Sequence, residues 1–206
     1  MSEFDRCSPA LACALRAESF DASTLLEECR AEFQRLSPAW AFAAASGNLM
    51  DGRLPTAGVF LALVNVLHRR GETFDTIRAV ALDTAREMVA PGGLLQRTAK
   101  RAVGHLATTR LASLLFERAI EKAPSHERGF RLRVVNAREQ GFHLGFDIVE
   151  CGICKLFHEA GASEYTRILC EVDFMTSQIA GLELHRTGTL ANGAPACDFR
   201  FRRKQR

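Results

Sequence analysis

Four of the chain's seven cysteines fall after Val149, among acids and arginines. Cys151-Gly152-Ile153-Cys154 comes first, then Cys170 with Asp173 three residues later. Arg186-Thr187-Gly188-Thr189 follows, and Cys197-Asp198-Phe199-Arg200 closes the series. These residue types can do chemistry together. A thiol where a strand gives way to a helix meets aligned amide dipoles that favour its thiolate. A carboxylate can move protons or hold a cationic ligand. Arginine binds a carboxylate through two parallel hydrogen bonds, which lysine does poorly. A stabilised thiolate and an arginine pair able to clamp a carboxylate are what this set offers.

Each motif also has a plainer meaning. Cys151-Gly-Ile-Cys154 is spelled like a thioredoxin motif, but no βαβ pattern surrounds it. Zinc could take Cys151, Cys154 and either His158 or Cys170, yet zinc sites usually bring a second close pair and there is one here. Cys170 and Asp173 share a helical face, which also describes a buried thiol beside a surface acid. Asp198 and Arg200 on one strand face also describe a cross-strand ion pair. No Ser–His–Asp triad, phosphate-binding glycine loop or HExxH motif is present. The expectation is a site with no metal and no cofactor.

The elements that must position these groups are legible from hydrophobic period. Asp21 offers an N-cap before Leu25, Cys29, Phe33 and Leu36 at helical spacing, while residues 1–20 carry little pattern. Pro38 interrupts, and Ser46-Gly-Asn48 and Asp51-Gly52 are turn signals. Thr56 is the expected cap of an apolar helix over Val59 to Leu67, ending in His68-Arg69-Arg70-Gly71. Thr73 opens a helix through Val89 that Pro91-Gly92-Gly93 stops. One amphipathic helix from Leu94 to Lys122 is expected next. The period then drops to two: Phe130 to Val135 and Phe142 to Val149 read as a hairpin pivoting at Gly141. Helices over Ile153–Ala160 and Ser163–Ala180 end at Gly161 and Gly181. Strands over Leu182–Leu190 and Ala196–Arg203 join at Asn192-Gly193. The fold class is α+β. A helical N-terminal layer (1–125) precedes an antiparallel β-β-α-α-β-β region (126–206) with its helices on one face, the two forming one compact unit.

Composition narrows function. With 47% apolar residues and 25% charged residues the chain is not disordered. The net charge of +3 is concentrated in Arg200, Arg202, Arg203, Lys204 and Arg206, a short solvated end rather than a nucleic-acid surface. No apolar run approaches the ~18 residues a membrane span needs. The N-terminus shows no signal-peptide pattern. An odd number of cysteines without such a signal points to reduced thiols in the cytoplasm. The expected partner is a small molecule, with neither nucleic acid nor membrane, and a homo-oligomer is open.

The motif series resembles the L-2-amino-thiazoline-4-carboxylic acid hydrolase family. The resemblance rests on Cys151 at a strand end, Cys170-Glu-Val-Asp173, Arg186-Thr187-Gly-Thr189 and Gly193-Ala-Pro-Ala-Cys197-Asp198-Phe199-Arg200, in that order; Cys154 lies outside the pattern. It covers about the last 60 residues. What the resemblance implies is hydrolysis of a non-peptide C–N bond in a cyclic amidine, a thiazoline ring opened to a carbamoyl-cysteine product. On that reading Cys197 or Cys151 is the nucleophile, with Cys170 as a supporting thiol. Asp198 and Asp173 handle protons and hold the amidine. Arg186 and Arg200, adjacent across a strand pair, bind the substrate carboxylate, while Thr187 and Thr189 add hydroxyl hydrogen bonds. A non-catalytic small-molecule-binding or sensing protein on the same fold is the alternative.

Overall fold

In the computed structural model, which describes residues 1–90 and 94–204, the weakly patterned first residues form a helix, α1 (Glu3–Ala17). Ser2 and Asp5 cap it reciprocally, satisfying two orphan amides. Phe4, Cys7, Leu11 and Leu15 bury one face, so the helical period is real. Pro9 masks it in the sequence. The Asp5 carbonyl that Pro9 cannot serve accepts the Ser8 hydroxyl at 3.1 Å instead.

Helix α2 (Ala22–Leu36) is capped by Asp21 as expected, and a 3₁₀ stretch led by Pro38 follows it with Trp40 buried. Helix α3 (Leu54–Arg69) begins at Leu54-Pro55 rather than at Thr56. Thr56 lies inside the first turn, its hydroxyl donating to Glu3 Oε1 at 2.6 Å. Helix α3 is buried along most of its length, with α1, α2 and α4 (Phe74–Val89) packed around it. The expected stop at Pro91-Gly92-Gly93 lies outside the described residues.

The single helix expected from Leu94 to Lys122 is two, α5 (Leu94–Ala107) and α6 (Arg110–Lys122). Thr108 and Thr109 break it. Their hydroxyls donate to the carbonyls of His105 and Leu106 at 2.8 and 2.7 Å, and Thr109 then caps α6. Threonine side chains competing for backbone partners explain a break that apolar period does not show.

Four antiparallel strands make one sheet in the order β1-β2-β4-β3: β1 (Arg131–Val134), β2 (Leu144–Glu150), β3 (Leu182–His185) and β4 (Cys197–Arg203). Helices α7 (Gly152–Glu159) and α8 (Thr166–Ile179) connect β2 to β3, giving the β-β-α-α-β-β series of an α+β protein. Strand β3 stops at His185 instead of running to Leu190.

Register decides which face each site residue occupies. Phe146 pairs with Phe199, Asp147 with Asp198 and Ile148 with Cys197. Directly opposed residues share a face. The inner face therefore carries Phe146, Ile148, Cys197 and Phe199, with the Phe146 and Phe199 rings stacked 5.1 Å apart. The outer face carries Asp147, Asp198 and Arg200. The β1–β2 connection folds back over that outer face, so close at Gly145 that a Cβ there would lie 2.6 Å from Ala137. One hydrophobic core runs from Phe4 in α1 to Phe199 in β4. No helix among the described residues is long and apolar enough to cross a membrane.

Candidate active site

Cys151 directly follows β2 and is the N-cap of α7. Gly152 fixes this junction. A Cβ there would approach the Arg128 carbonyl to 3.0 Å and Leu54 and Phe130 to 3.1 Å, so a larger residue must push the start of α7 away from the chain before β1. Lys155, one turn on, ties the same junction down by donating to the Glu127 carbonyl at 2.7 Å and Glu150 Oε2 at 2.5 Å.

Helix α8 brings Cys170 and Asp173 to face Cys151, and β4 presents Cys197 from below. All three sulfur-bearing residues, with Asp173 and Arg186, line one cavity of about 40 Å³. Its apolar wall includes Phe130, Ile148, Leu169 and Phe199. The groups share the cavity without closing to ligand distances: among the described residues, no three His, Cys, Asp or Glu side chains are placed to hold a metal ion.

Arg186 leaves the end of β3 and turns inward, its side chain only 4% exposed. It donates to Asp173 Oδ2 at 2.8 Å and to the Cys170 carbonyl at 2.7 Å. Its guanidinium lies over the rings of Phe174 and Phe199, at 4.8 and 5.1 Å from their centres. A buried cation with two strong acceptors and two aromatic faces is a fixed charge, not a mobile one.

A second guanidinium reaches the cavity from far away in sequence. Asp51 is fully buried and accepts the Phe130 N–H at 2.8 Å, and Asn48 Nδ2 donates to the Phe130 carbonyl at 2.9 Å. These bonds pin the turn before α3 to the start of β1. Arg53 then extends from that turn to within 3.6 Å of Asp173 Oδ1, with its side chain 58% exposed. Sequence reasoning marks only a turn here. Nothing local to Arg53 signals its place in the site; it comes from tertiary bonds between residues some 80 apart.

The thiols differ in their surroundings. Cys151 is held below the ordinary thiol range, first by the neighbouring Cys154 thiol and also by the backbone amides of Cys154 and Ile153 at the start of α7; burial opposes this. Burial pushes Cys170 up to about 12 and pushes Cys197 upward. The Cys197 sulfur accepts the Leu190 N–H at 3.2 Å. Cys154 is pushed up by its bond to Cys151 and by burial. Burial raises the Asp173 carboxyl, with Arg53 and Arg186 pulling the other way.

The structure does not bring every sequence-derived residue to the cavity. Arg186 and Arg200 form no clamp, because they point to opposite faces of the sheet. Arg200 donates to Asp147 Oδ1 at 2.9 Å and to Gln140 Oε1 at 3.1 Å on the outer face. Asp147 is buried there between Arg200 and Arg133, whose Nη2 is 2.6 Å away. Asp198 also lies on the outer face and cannot share a ligand with Asp173. It accepts the N–H groups of Thr187 and Gly188 at 2.9 and 2.8 Å and the Thr187 hydroxyl at 2.8 Å. Partial burial raises its pKa, but these donors outweigh it and hold the carboxyl below its ordinary value. This knot ends β3 early and turns the chain beside Arg186. Thr187 is thereby occupied, and the buried Thr189 hydroxyl has no hydrogen-bond partner among the described residues.

This is an α+β protein whose thiol-lined cavity also holds a carboxylate and two guanidinium groups, side chains that nucleophilic chemistry on small molecules draws on. The chain belongs to the L-2-amino-thiazoline-4-carboxylic acid hydrolase family, whose model matches residues 53–201 and so spans every thiol and charged group of the cavity. No curated protein and no solved structure matches the chain.

Proposed function

We propose that the chain hydrolyses a small cyclic amidine bearing a carboxylate, a ring of the 2-amino-thiazoline-4-carboxylate kind, with Cys151 as nucleophile. The observation that carries this is the asymmetry among the cavity thiols. Cys151 alone is held toward thiolate, while Cys170 and Cys197 are held as thiols. The thiolate is the attacking species.

The Cys151 sulfur adds to the ring carbon between nitrogen and sulfur. The C=N electron pair moves to the ring nitrogen, which takes a proton from Asp173, the carboxyl whose burial favours its acid form. Breaking the bond from that carbon to the ring sulfur gives an isothiourea on Cys151 and a free thiol on the substrate. Water adds to the same carbon, Cys151 leaves as thiolate, and the product is an N-carbamoyl-cysteine. Breaking the carbon–nitrogen bond instead gives an S-carbamoyl product with a free amine. Arg53, exposed and opposite Asp173, takes the substrate carboxylate, and Arg186 holds Asp173 in place. A cavity of about 40 Å³ admits water but is small for a ring. Arg53 must swing away from Asp173 to admit one. The seven free thiols suit a reducing, cytoplasmic compartment.

A second reading is a binding protein that holds its ligand without turnover, since Asp173, Arg53 and Arg186 form a charged anchor whether or not Cys151 reacts. Incubation with 2-amino-thiazoline-4-carboxylate separates the two. The hydrolase reading expects loss of ring absorbance with release of a thiol or amine, and a fall of about 10²-fold or more in Cys151→Ala. Thermal stabilisation without turnover supports the binding protein. Full activity in Cys151→Ala ends the covalent mechanism.

A further inference from the structure

Cys154 has no part in the reaction above, and the family-like motif series does not include it. Its position is nonetheless specific. It sits at the third residue of α7, and Cys151 is the N-cap. Side chains at these two positions lie together at a helix start, the geometry by which a capping residue reaches across the first turn. The pairing shows in both thiols: the neighbouring Cys154 lowers the pKa of Cys151, and Cys151 raises that of Cys154. Neither residue is sealed from solvent. Gly152 and Lys155 hold this turn against the chain before β1, which restrains the backbone that carries both cysteines.

We propose that Cys151 and Cys154 are a reversible oxidation site, forming an intramolecular disulfide when a hydroperoxide reaches the cavity thiolate. The Cys151 sulfur attacks one peroxide oxygen. An S–O bond forms, the O–O bond breaks, and hydroxide (alkoxide from an organic hydroperoxide) leaves and takes a proton to become water or an alcohol. Cys154 then loses its proton and attacks the Cys151 sulfur. The S–S bond forms, the S–O bond breaks, and water leaves. The two thiols together give up two electrons, and the peroxide takes them. A small dithiol reverses the change by exchange through a mixed disulfide.

The other cavity thiols are worse placed to resolve Cys151. Cys170 is on α8 and Cys197 on β4, so each must cross the cavity, and the Cys197 sulfur is engaged by the Leu190 amide. Cys154 shares the turn. A low attacking thiol beside a high partner is also the asymmetry that Cys-x-x-Cys pairs show when the first cysteine reacts and the second resolves. A disulfide here consumes the thiol that the proposed hydrolysis uses, yet the site itself needs no substrate and stands whether or not the ring-opening assignment does.

The full-length reduced chain is treated with about one equivalent of hydrogen peroxide, quenched by alkylation and digested with trypsin. Residues 139–155 form one tryptic peptide holding Cys151 and Cys154 and no other cysteine. The expected result is loss of about 2 Da in that peptide, with both thiols protected from alkylation and both recovered after dithiothreitol. Cys154→Ser should instead trap Cys151 as a sulfenic acid that dimedone labels. No thiol loss in the wild type, a Cys151 link to the peptide of Cys170 or Cys197, or no labelled sulfenic acid in Cys154→Ser overturns the proposal. No outcome depends on ring opening, so the failure of one reading does not pass for failure of the other.

Discussion

Replacing Arg186 by Met tests the electrostatic frame of the cavity. Methionine keeps an unbranched apolar stem and removes the guanidinium that lies over Phe199 and Phe174, and with it the charge. Among the described residues, the Asp173 carboxylate then keeps only Arg53 as an ion-pair partner, 3.6 Å away and mostly in solvent. Removing one partner of a buried ion pair costs about 3 kcal/mol at the low end of its range, the appropriate end because Asp173 is not fully sealed. For a chain of this size that is a fall in Tm of about 6–12 °C. The penalty must also depend on pH in a definite direction. Burial already raises the Asp173 carboxyl, and losing Arg186 raises it further. A carboxyl raised in the folded state stays protonated there after the unfolded chain has released its proton. Folding then loses stability as pH rises from the ordinary carboxylate range to the raised value. The gap between variant and wild type should be small in acid, widen toward neutrality and level off above it. Asp173→Asn added to Arg186→Met should close most of that gap, since it removes the orphaned charge. Thermal denaturation followed by circular dichroism from pH 4.5 to 8 reads all of this (roughly the window in which a raised carboxyl titrates). A gap that stays constant with pH, or a double variant no better than the single, refutes the idea that Arg186 offsets the burial that raises the Asp173 carboxyl.

Three further outcomes follow from the same geometry. Because Cys151 is held below the ordinary thiol range and Cys170 is pushed up to about 12, iodoacetamide at neutral pH should label Cys151 well before Cys170 or Cys197, its rate rising with pH through the lowered pKa; equal labelling counts against the helix-start argument. Arg53→Ala should raise KM about 10-fold or more for a carboxylate-bearing ring, with little change in kcat and Tm, because a mostly exposed side chain adds little to stability; an unchanged KM removes Arg53 as the anchor. Gly152→Ala must push Cβ against the Arg128 carbonyl at 3.0 Å, so a loss of about 1–3 kcal/mol in urea denaturation is expected, together with slower Cys151 alkylation; a neutral substitution means that the start of α7 is free to shift.

Much of the architecture is legible in the sequence because it rests on local signals. Asp21 and Thr73 cap the helices they precede, and the change from helical to alternating period marks where the sheet begins. The misses are physical rather than accidental. Pro9 hides α1 because a proline in mid-helix is tolerated when a serine hydroxyl serves the stranded carbonyl. Thr108 and Thr109 split a continuous amphipathic pattern through side-chain bonds that period cannot register. In the site, Cys151, Cys170, Asp173, Arg186 and Cys197 are legible and do line one cavity. Arg53 is not, because its place depends on Asp51 and Asn48 reaching Phe130 across the fold.

The pairing of Arg186 with Arg200 fails for a reason that explains the motif itself. Strand β4 alternates, so Cys197-Asp198-Phe199-Arg200 is two sets of residues interleaved. The inward pair supplies a thiol to the cavity and a ring beneath Arg186. The outward pair supplies structure. Asp198 gathers Thr187 and Gly188 into the turn beside Arg186, and Arg200 binds the buried Asp147 of β2. One four-residue run thus supplies both a part of the cavity lining and the bonds that hold its neighbours in place. Asp198 differs from Asp173 in role for the same reason. The first is held ionised by backbone amides that it shapes, while the second sits in a cavity where burial favours its acid form. Only a carboxyl of the second kind can give up a proton to a ring nitrogen near neutral pH.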